Sequence, residues 1–212
     1  MCQPTVVLGT HNRQKAAELR DLLEPRGCRV HTLADFPSPL RVVEDGQTFA
    51  ENAARKACQQ AVHLQAWVLG EDSGLEVDAL HGRPGIHSAR FAGDAATDAA
   101  NIHRLLEHMR HVHAGHRSAR YVCHVTLADP TGTVRANVEA YCYGRIAESP
   151  RGHAGFGYDP VFEVAEYHRT FGELGASVKS VLSHRGRALR RLVHDLLPLL
   201  QSTRADRYPP AT

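Results

Sequence analysis

Apolar and polar positions along this chain repeat with two different periods, and the changes of period mark its elements. Thr5-Val6-Val7-Leu8-Gly9 is a short β-branched run and predicts a strand. Beyond Thr10-His11-Asn12, the residues Ala16, Leu19, Leu22 and Leu23 fall at helical spacing, and Gly27 stands where a helix stop is expected. Arg29–Leu33 predicts a second short strand. Residues 37–46 hold two prolines, a glycine and charges, and read as loop. Thr48 followed by Glu51 has the form of a capping box, in which hydroxyl and carboxylate satisfy free backbone N–H groups. The helix it opens continues through Ala54, Ala57, Ala61 and Leu64.

Ala66–Leu69 predicts a short apolar strand running into a turn, Gly70-Glu71-Asp72-Ser73-Gly74. His81–Gly93 is rich in glycine and reads as loop. Asn101–Met109 puts Ile102, Leu105, Leu106 and Met109 on one helical face. The period then drops to two. Tyr121, Cys123, Val125 and Leu127 alternate with Val122, His124 and Thr126, Asp129-Pro130-Thr131-Gly132 turns the chain, and Val134, Ala136, Val138 and Ala140 alternate again. Gly152–Gly157 is a glycine-rich loop. Arg187–Leu200 predicts a last helix with Leu189, Leu192, Val193, Leu196 and Leu197 inward. An opening β-α unit and a long hairpin together predict an α/β protein with a mixed sheet. Residues 1–201 read as one domain, and Ser202–Thr212, rich in Pro, Ala and charge, as a frayed tail.

Composition narrows the classes. The 25 Lys+Arg and 23 Asp+Glu among 212 residues leave a net charge of +2, which excludes a polybasic nucleic-acid clamp and an acidic disordered chain. No apolar run approaches the ~18 residues of a membrane span. No secretion signal is visible at the start. Five cysteines without a CxxC pair offer neither a zinc ribbon nor a thioredoxin motif. They read as buried thiols in a reducing cytoplasm. Fifteen histidines invite a metal-protein reading, but the one dense cluster, His108, His111, His113 and His116, reads as a surface loop.

Four segments carry candidate chemistry, and each also has an ordinary structural reading. Thr10-His11-Asn12-Arg13-Gln14-Lys15 lies at a strand-to-helix turn, where free N–H groups and Lys15 suit a phosphate; it could equally be a plain capped helix. Glu71-Asp72-Ser73-Gly74 follows an apolar strand, and Glu44 and Glu51 lie upstream. Such hard oxygens suit Mg²⁺, or form a solvated acidic turn. In Gly155-Phe156-Gly157-Tyr158-Asp159-Pro160, two glycines leave the aromatic ring open to a stacked base, worth ~1–3 kcal/mol, unless it is a buried turn. Lys179 and Ser183-His184-Arg185-Gly186 offer directional donors, or a basic helix cap. Together the four make a kit for handling a nucleoside triphosphate.

The order of these segments resembles one family. Val6–Lys15 is similar to its opening strand and TxNxxK signature. Asp45–Ala53 is similar to its second helix entry. Asp72–Leu80 with Gly82, Pro84-Gly85-Ile86 and Ser88-Ala89-Arg90-Phe91 resembles its central block, and Gly155–Phe162 and Ser183–Gly186 complete the pattern. The chain is identified over residues 5–200 as resembling the non-canonical purine nucleoside triphosphate pyrophosphatases, also named inosine triphosphate pyrophosphatases. The resemblance implies an elongated mixed β-sheet flanked by helices, two lobes with the active site in a cleft between them, and a cytoplasmic homodimer. It implies Mg²⁺-dependent cleavage of ITP, dITP and XTP to the monophosphate and pyrophosphate, acting on neither nucleic-acid polymers nor membranes.

Carried over residue by residue, the resemblance implies that Thr10, Asn12 and Lys15, within the segment 10–15, hold the triphosphate. Asp72 is then general base and metal ligand, with Glu44 and Glu71 as further metal candidates. Ser73 touches substrate, Phe156 stacks on the base, and Gly157, Tyr158 and Asp159 shape that pocket. Lys179, His184 and Arg185 bind the nucleotide. Two positions depart from the pattern: Glu71 stands where many members carry Asp, and His11 where glycine is frequent. The competing readings are a pyrophosphatase for modified pyrimidine triphosphates and a nucleotide-binding module without turnover.

Overall fold

The computed structural model describes residues 3–202, so the sequence predicted as a frayed tail lies, beyond Ser202, outside the described residues. The first strand, β1 (Thr5–Leu8), leads into α1 (Arg13–Leu23), which buries the expected stripe of Ala16, Leu19, Leu22 and Leu23. The chain returns as β2 (Arg29–Thr32), parallel to β1 with Val6 opposite Val30. It then runs through α2 (Phe49–Leu64) to β3 (Val68–Val77), parallel to β1 on its other side.

After α3 (Asp98–His108) come the two long hairpin strands, β4 (Ser118–Ala128) and β5 (Val134–Ile146). Two short strands, β6 (Phe162–Val164) and β7 (Arg169–Thr170), continue antiparallel from β5. Two helices close the chain, α4 (Phe171–Leu182) and α5 (His184–Ser202). The seven strands form one mixed sheet in the order β2-β1-β3-β4-β5-β6-β7. The α/β class with a mixed, helix-flanked sheet is therefore the architecture observed.

The short strands β6 and β7 had no expected counterpart, and three further elements differ from the sequence expectation. The segment 70–74, expected as a turn, lies inside β3, which continues to Val77. Its polar residues looked like loop because their partners come from distant helices. The helix α4 had no expected counterpart, because Gly175 at φ 76° breaks its period. Its start was nevertheless encoded: Thr170 and Glu173 form a reciprocal capping box. The last helix begins at His184, three residues early, because the Ser183 hydroxyl accepts the Gly186 N–H and caps it.

Contacts divide the chain into two compact units. One comprises the chain up to Asp72, His124–Glu139 and the residues from Ala188 on. Its core joins Val7, Leu33, Ala57, Ala61, Val68 and Ala128. The other comprises Ser73–Cys123 and Ala140–Arg187, with a larger core built on Leu75, Leu105, Tyr121, Phe162 and Phe171. Cys28, Cys58, Cys123 and Cys142 are free thiols. Burial pushes the Cys142 thiol up to about 11. No helix among the described residues is long and apolar enough to cross a membrane.

Candidate active site

The first cluster is built where α2 meets β3. A Cβ on Gly70 would lie 2.2 Å from the Ala53 carbonyl oxygen and 2.6 Å from the Ala57 nitrogen. Only glycine on the strand, facing alanines on the helix, permits this approach. Asp72 is two residues on, so it points to the same side as Gly70. There it meets Asn52 and Lys56, which are one turn apart on α2. The Lys56 ammonium lies 2.9 Å from Asp72 Oδ1 and 2.9 Å from Glu44 Oε2. Asn52 donates to Asp72 Oδ2 at 3.3 Å and accepts the Gly46 N–H at 2.9 Å, tying the Glu44 loop to the same carboxylate.

Glu71 points the opposite way, as strand alternation requires. It is fully buried and pairs with Lys15 of α1 at 3.1 Å. The neighbouring carboxylates are thus separated by the pleat and answered by different lysines.

Charge and burial set the chemistry. Asp72 is 7% exposed. Burial raises its carboxyl above the usual range; Lys56 and Lys15 pull it down, and Glu71 pushes it up again. Burial works against the Lys56 ammonium, but Asp72, Glu44 and Glu71 outweigh it and raise its pKa. Among the described residues no group of three or more His, Cys, Asp or Glu is assembled as a metal cage. Mg²⁺ does not need one, since it keeps waters and takes substrate phosphates beside one or two carboxylates. Asp72 and Glu44, both turned toward Lys56, match that donor chemistry.

At the start of α1, the Asn12 side chain accepts the Gln14 and Lys15 N–H groups at 2.9 and 3.1 Å. Thr10 Oγ1 accepts the Asn12 N–H at 3.2 Å. Asn12 therefore satisfies two of the helix amides that looked open to a phosphate. Donors at this turn that could meet an anion include the Thr10 hydroxyl, the Asn12 amide NH₂ and the Lys15 ammonium, which also pairs with Glu71. His11 donates from Nε2 to the Leu40 carbonyl at 3.0 Å. Arg13 faces a groove of about 550 Å³ with Arg20, Asp35 and Phe36, and Gln14 is exposed.

The second cluster lies in the other unit. Gly155 and Gly157, at φ 78° and 62°, put Phe156 at the tip of a tight loop. Asp159, buried, accepts the Phe156 N–H at 2.8 Å and holds the Lys179 ammonium. That ammonium lies 4.4 Å from the centre of the Phe156 ring, and the Arg185 guanidinium 5.7 Å. Arg185 is only 2% exposed and donates to Ser73 Oγ at 3.0 Å. His184 stacks on Tyr121 with ring centres 4.6 Å apart. His184 and Arg185 open α5, as a basic helix cap would, but as buried side chains. Tyr158 is buried, and its hydroxyl donates to the Ser88 carbonyl at 2.8 Å.

Residues 6–195 match the model of the Ham1 family. The chain belongs to the Ham1 family. A dITP/XTP pyrophosphatase from Rhodopirellula baltica is 51% identical over 93% of this chain and 95% of its own length. One from Desulforamulus reducens is 45% identical over 90% and 94%. Among solved structures, a HAM1 protein from Coxiella burnetii superposes with a TM-score of 0.82 at 37% identity, covering 91% of this chain and 98% of that one.

This Ham1 chain also places in its clusters three residues that the sequence reading passed over. Lys56 and Asn52 sit on the buried face of α2, where Asn52, Lys56 and Gln60 recur every four residues among alanines. A lysine in register with an apolar stripe was the available signal. Tyr121 was read only as one position in the alternation of the hairpin, and no local pattern announces that it stacks on His184.

Proposed function

We propose that this chain hydrolyses ITP, dITP and XTP to the nucleoside monophosphate and pyrophosphate, clearing deaminated purines from the nucleotide pool. The observation that carries the reading is Asp72: a buried carboxylate of raised pKa, held in place by Lys56 and Asn52, beside Glu44. A binding module has no need of such a group. The names of the relatives support the substrate class.

Asp72 and Glu44 would hold Mg²⁺, with Glu71 adding negative charge nearby. Bound there, the ion would neutralise phosphate charge and orient the triphosphate. Asp72 takes a proton from the attacking water, and burial, which raises its pKa, makes it the better proton acceptor. The water oxygen bonds to the α-phosphorus as the bond to the bridging oxygen breaks, and pyrophosphate departs. Lys56 keeps Asp72 aimed and offsets the charge of the carboxylates. Lys15, Thr10 and Asn12, with the rest of the segment 10–15, engage the phosphates.

Phe156 stacks on the base, with Gly157, Tyr158 and Asp159 shaping its surroundings and Ser73 and Lys179 completing the contacts. His184 and Arg185 donate to the 6-oxygen of hypoxanthine or xanthine. Adenine has an amino group there and would leave buried donors unpaired, at ~1–3 kcal/mol each. The same reading holds residues 1–201 to be one catalytic domain of a cytoplasmic homodimer.

A pyrophosphate-release assay with ITP, dITP, XTP, ATP, GTP and modified pyrimidine triphosphates, with Mg²⁺ or with EDTA, tests this. The expected result is pyrophosphate from the first three, lost in EDTA. Orthophosphate as primary product, or equal kcat/KM for ATP and ITP, would refute it. The GTP arm separates recognition at the 6-position from recognition at the 2-position.

A further inference from the structure

The stretch Gly82–Phe91 stood out in the sequence, yet the reaction above gives no part to it or to the start of α3 beside it. In the structure they form a mount. The Ser88 hydroxyl accepts the Leu75 N–H at 2.8 Å and donates to the Gly85 carbonyl at 2.6 Å. Asn101, on the first turn of α3, accepts the Ala92 N–H at 2.8 Å and donates to the Ala89 carbonyl at 3.1 Å. Two bonds then reach from this mount to consecutive residues of the Phe156 loop. Tyr158 donates to the Ser88 carbonyl. The Gly157 N–H donates to Asp98 Oδ2 at 2.7 Å, across 59 residues of chain.

The second bond acts at a critical place. Phe156 stands between two glycines of positive φ, and a Cβ on Gly157 would touch nothing within 4 Å. No neighbour crowds the space beside Gly157, and a glycine brings no side chain of its own to hold the backbone. The two amides that flank the Phe156 Cα are instead each held by a carboxylate: its own N–H by Asp159, the next one by Asp98. Fixing both peptide planes fixes φ and ψ of Phe156, and with them the direction of its Cα–Cβ bond. Bonds to ionised acceptors are the stronger kind.

We propose that Asp98 is a positioning residue, which sets the attitude of the Phe156 ring and so the affinity for the nucleotide base. This rests on the reading that Phe156 stacks on that base. An acid in the first turn of a helix has an ordinary role as well, since it complements the helix dipole. The two roles make opposite demands. A dipole partner tolerates glutamate and suffers from asparagine. A latch tolerates asparagine, whose Oδ1 accepts the same N–H, and suffers from the longer glutamate.

The test is steady-state kinetics with ITP and Mg²⁺ on the full chain and on Asp98→Ala, Asp98→Asn and Asp98→Glu, with melting curves for each. Asp98→Ala is expected to raise KM about fivefold while kcat stays within about twofold, the loss of one hydrogen bond felt in binding. Asp98→Asn should return KM to within about twofold of the parent, and Asp98→Glu should not. In a Phe156→Ala background, Asp98→Ala should add almost nothing, because residues that act through one another are non-additive. The proposal is overturned by an unchanged KM in Asp98→Ala. Rescue by glutamate but not asparagine overturns it too, as does full additivity with Phe156→Ala. If Asp98→Ala does not fold, the order of the Asn and Glu variants decides. A parent chain inactive on ITP would instead refute the functional reading itself.

Discussion

The Lys56 ammonium sits 2.9 Å from Asp72 Oδ1, and both groups are buried. The helix reaches the strand because Gly70 has no side chain, and the strand's pleat turns Asp72, rather than Glu71, toward it. The pair thus depends on backbone approach as well as on charge.

Lys56→Met would leave Asp72 and Glu44 without their shared cation. Breaking a buried pair by removing one partner costs about 3 kcal/mol or more. The variant should melt earlier and lose kcat by roughly 100-fold. Since Lys56 holds the Asp72 carboxyl down, its loss raises that pKa further, and the acid limb of the kcat/KM profile should move to higher pH. Denaturation curves and a pH–rate series read both effects.

Gly70→Ala tests the approach itself. The added methyl meets the Ala53 oxygen and the Ala57 nitrogen, both backbone atoms of a helix that cannot shift cheaply. A cost near 3 kcal/mol is expected, at the upper end of overpacking penalties. In the fraction that folds, α2 is pushed off β3, so kcat should fall although no catalytic group is altered. A parent-like melting temperature and kcat would contradict this account.

Asp129, in the turn joining β4 and β5, carries a pH dependence. Burial alone would raise its carboxyl, but hydrogen bonds from Thr131, Arg135 and Thr133 prevail and lower it. A depressed carboxylate stabilises the fold above its unfolded pKa of about 3.9 and loses that contribution as pH falls through the lower folded value. Asp129→Asn should therefore be less stable than the parent at pH 7, with the gap closing toward pH ~2–3. Urea titrations at both pH values measure it; a gap that persists in acid would point to geometry rather than charge.

Much of this was legible locally. The stripe of α1, the Thr48 cap of α2 and the alternation of the hairpin each depend on residues within a few positions, and each was readable. Even there the detail shifted: the Glu51 carboxylate bonds the Gln47 N–H, while Thr48 caps Glu51 as expected. The strand through Glu71-Asp72-Ser73 was not readable, because three polar residues become strand only when lysines and an arginine from elsewhere answer them. Lys56 was passed over for the same reason, a charge on an apolar helix face with its partner 16 residues away.

The sequence by itself determined the α/β class, most element positions and the segments that carry the chemistry, since periodicity and capping are short-range properties of a chain. Only the tertiary structure decided which groups meet: Lys56 with Asp72, Asp98 with the Gly157 amide, and Arg185 with Ser73 across 112 residues. It alone also decided how those groups ionise. A carboxylate's pKa depends on how much water the surrounding layers remove and which charges they bring near, and no stretch of sequence contains those layers.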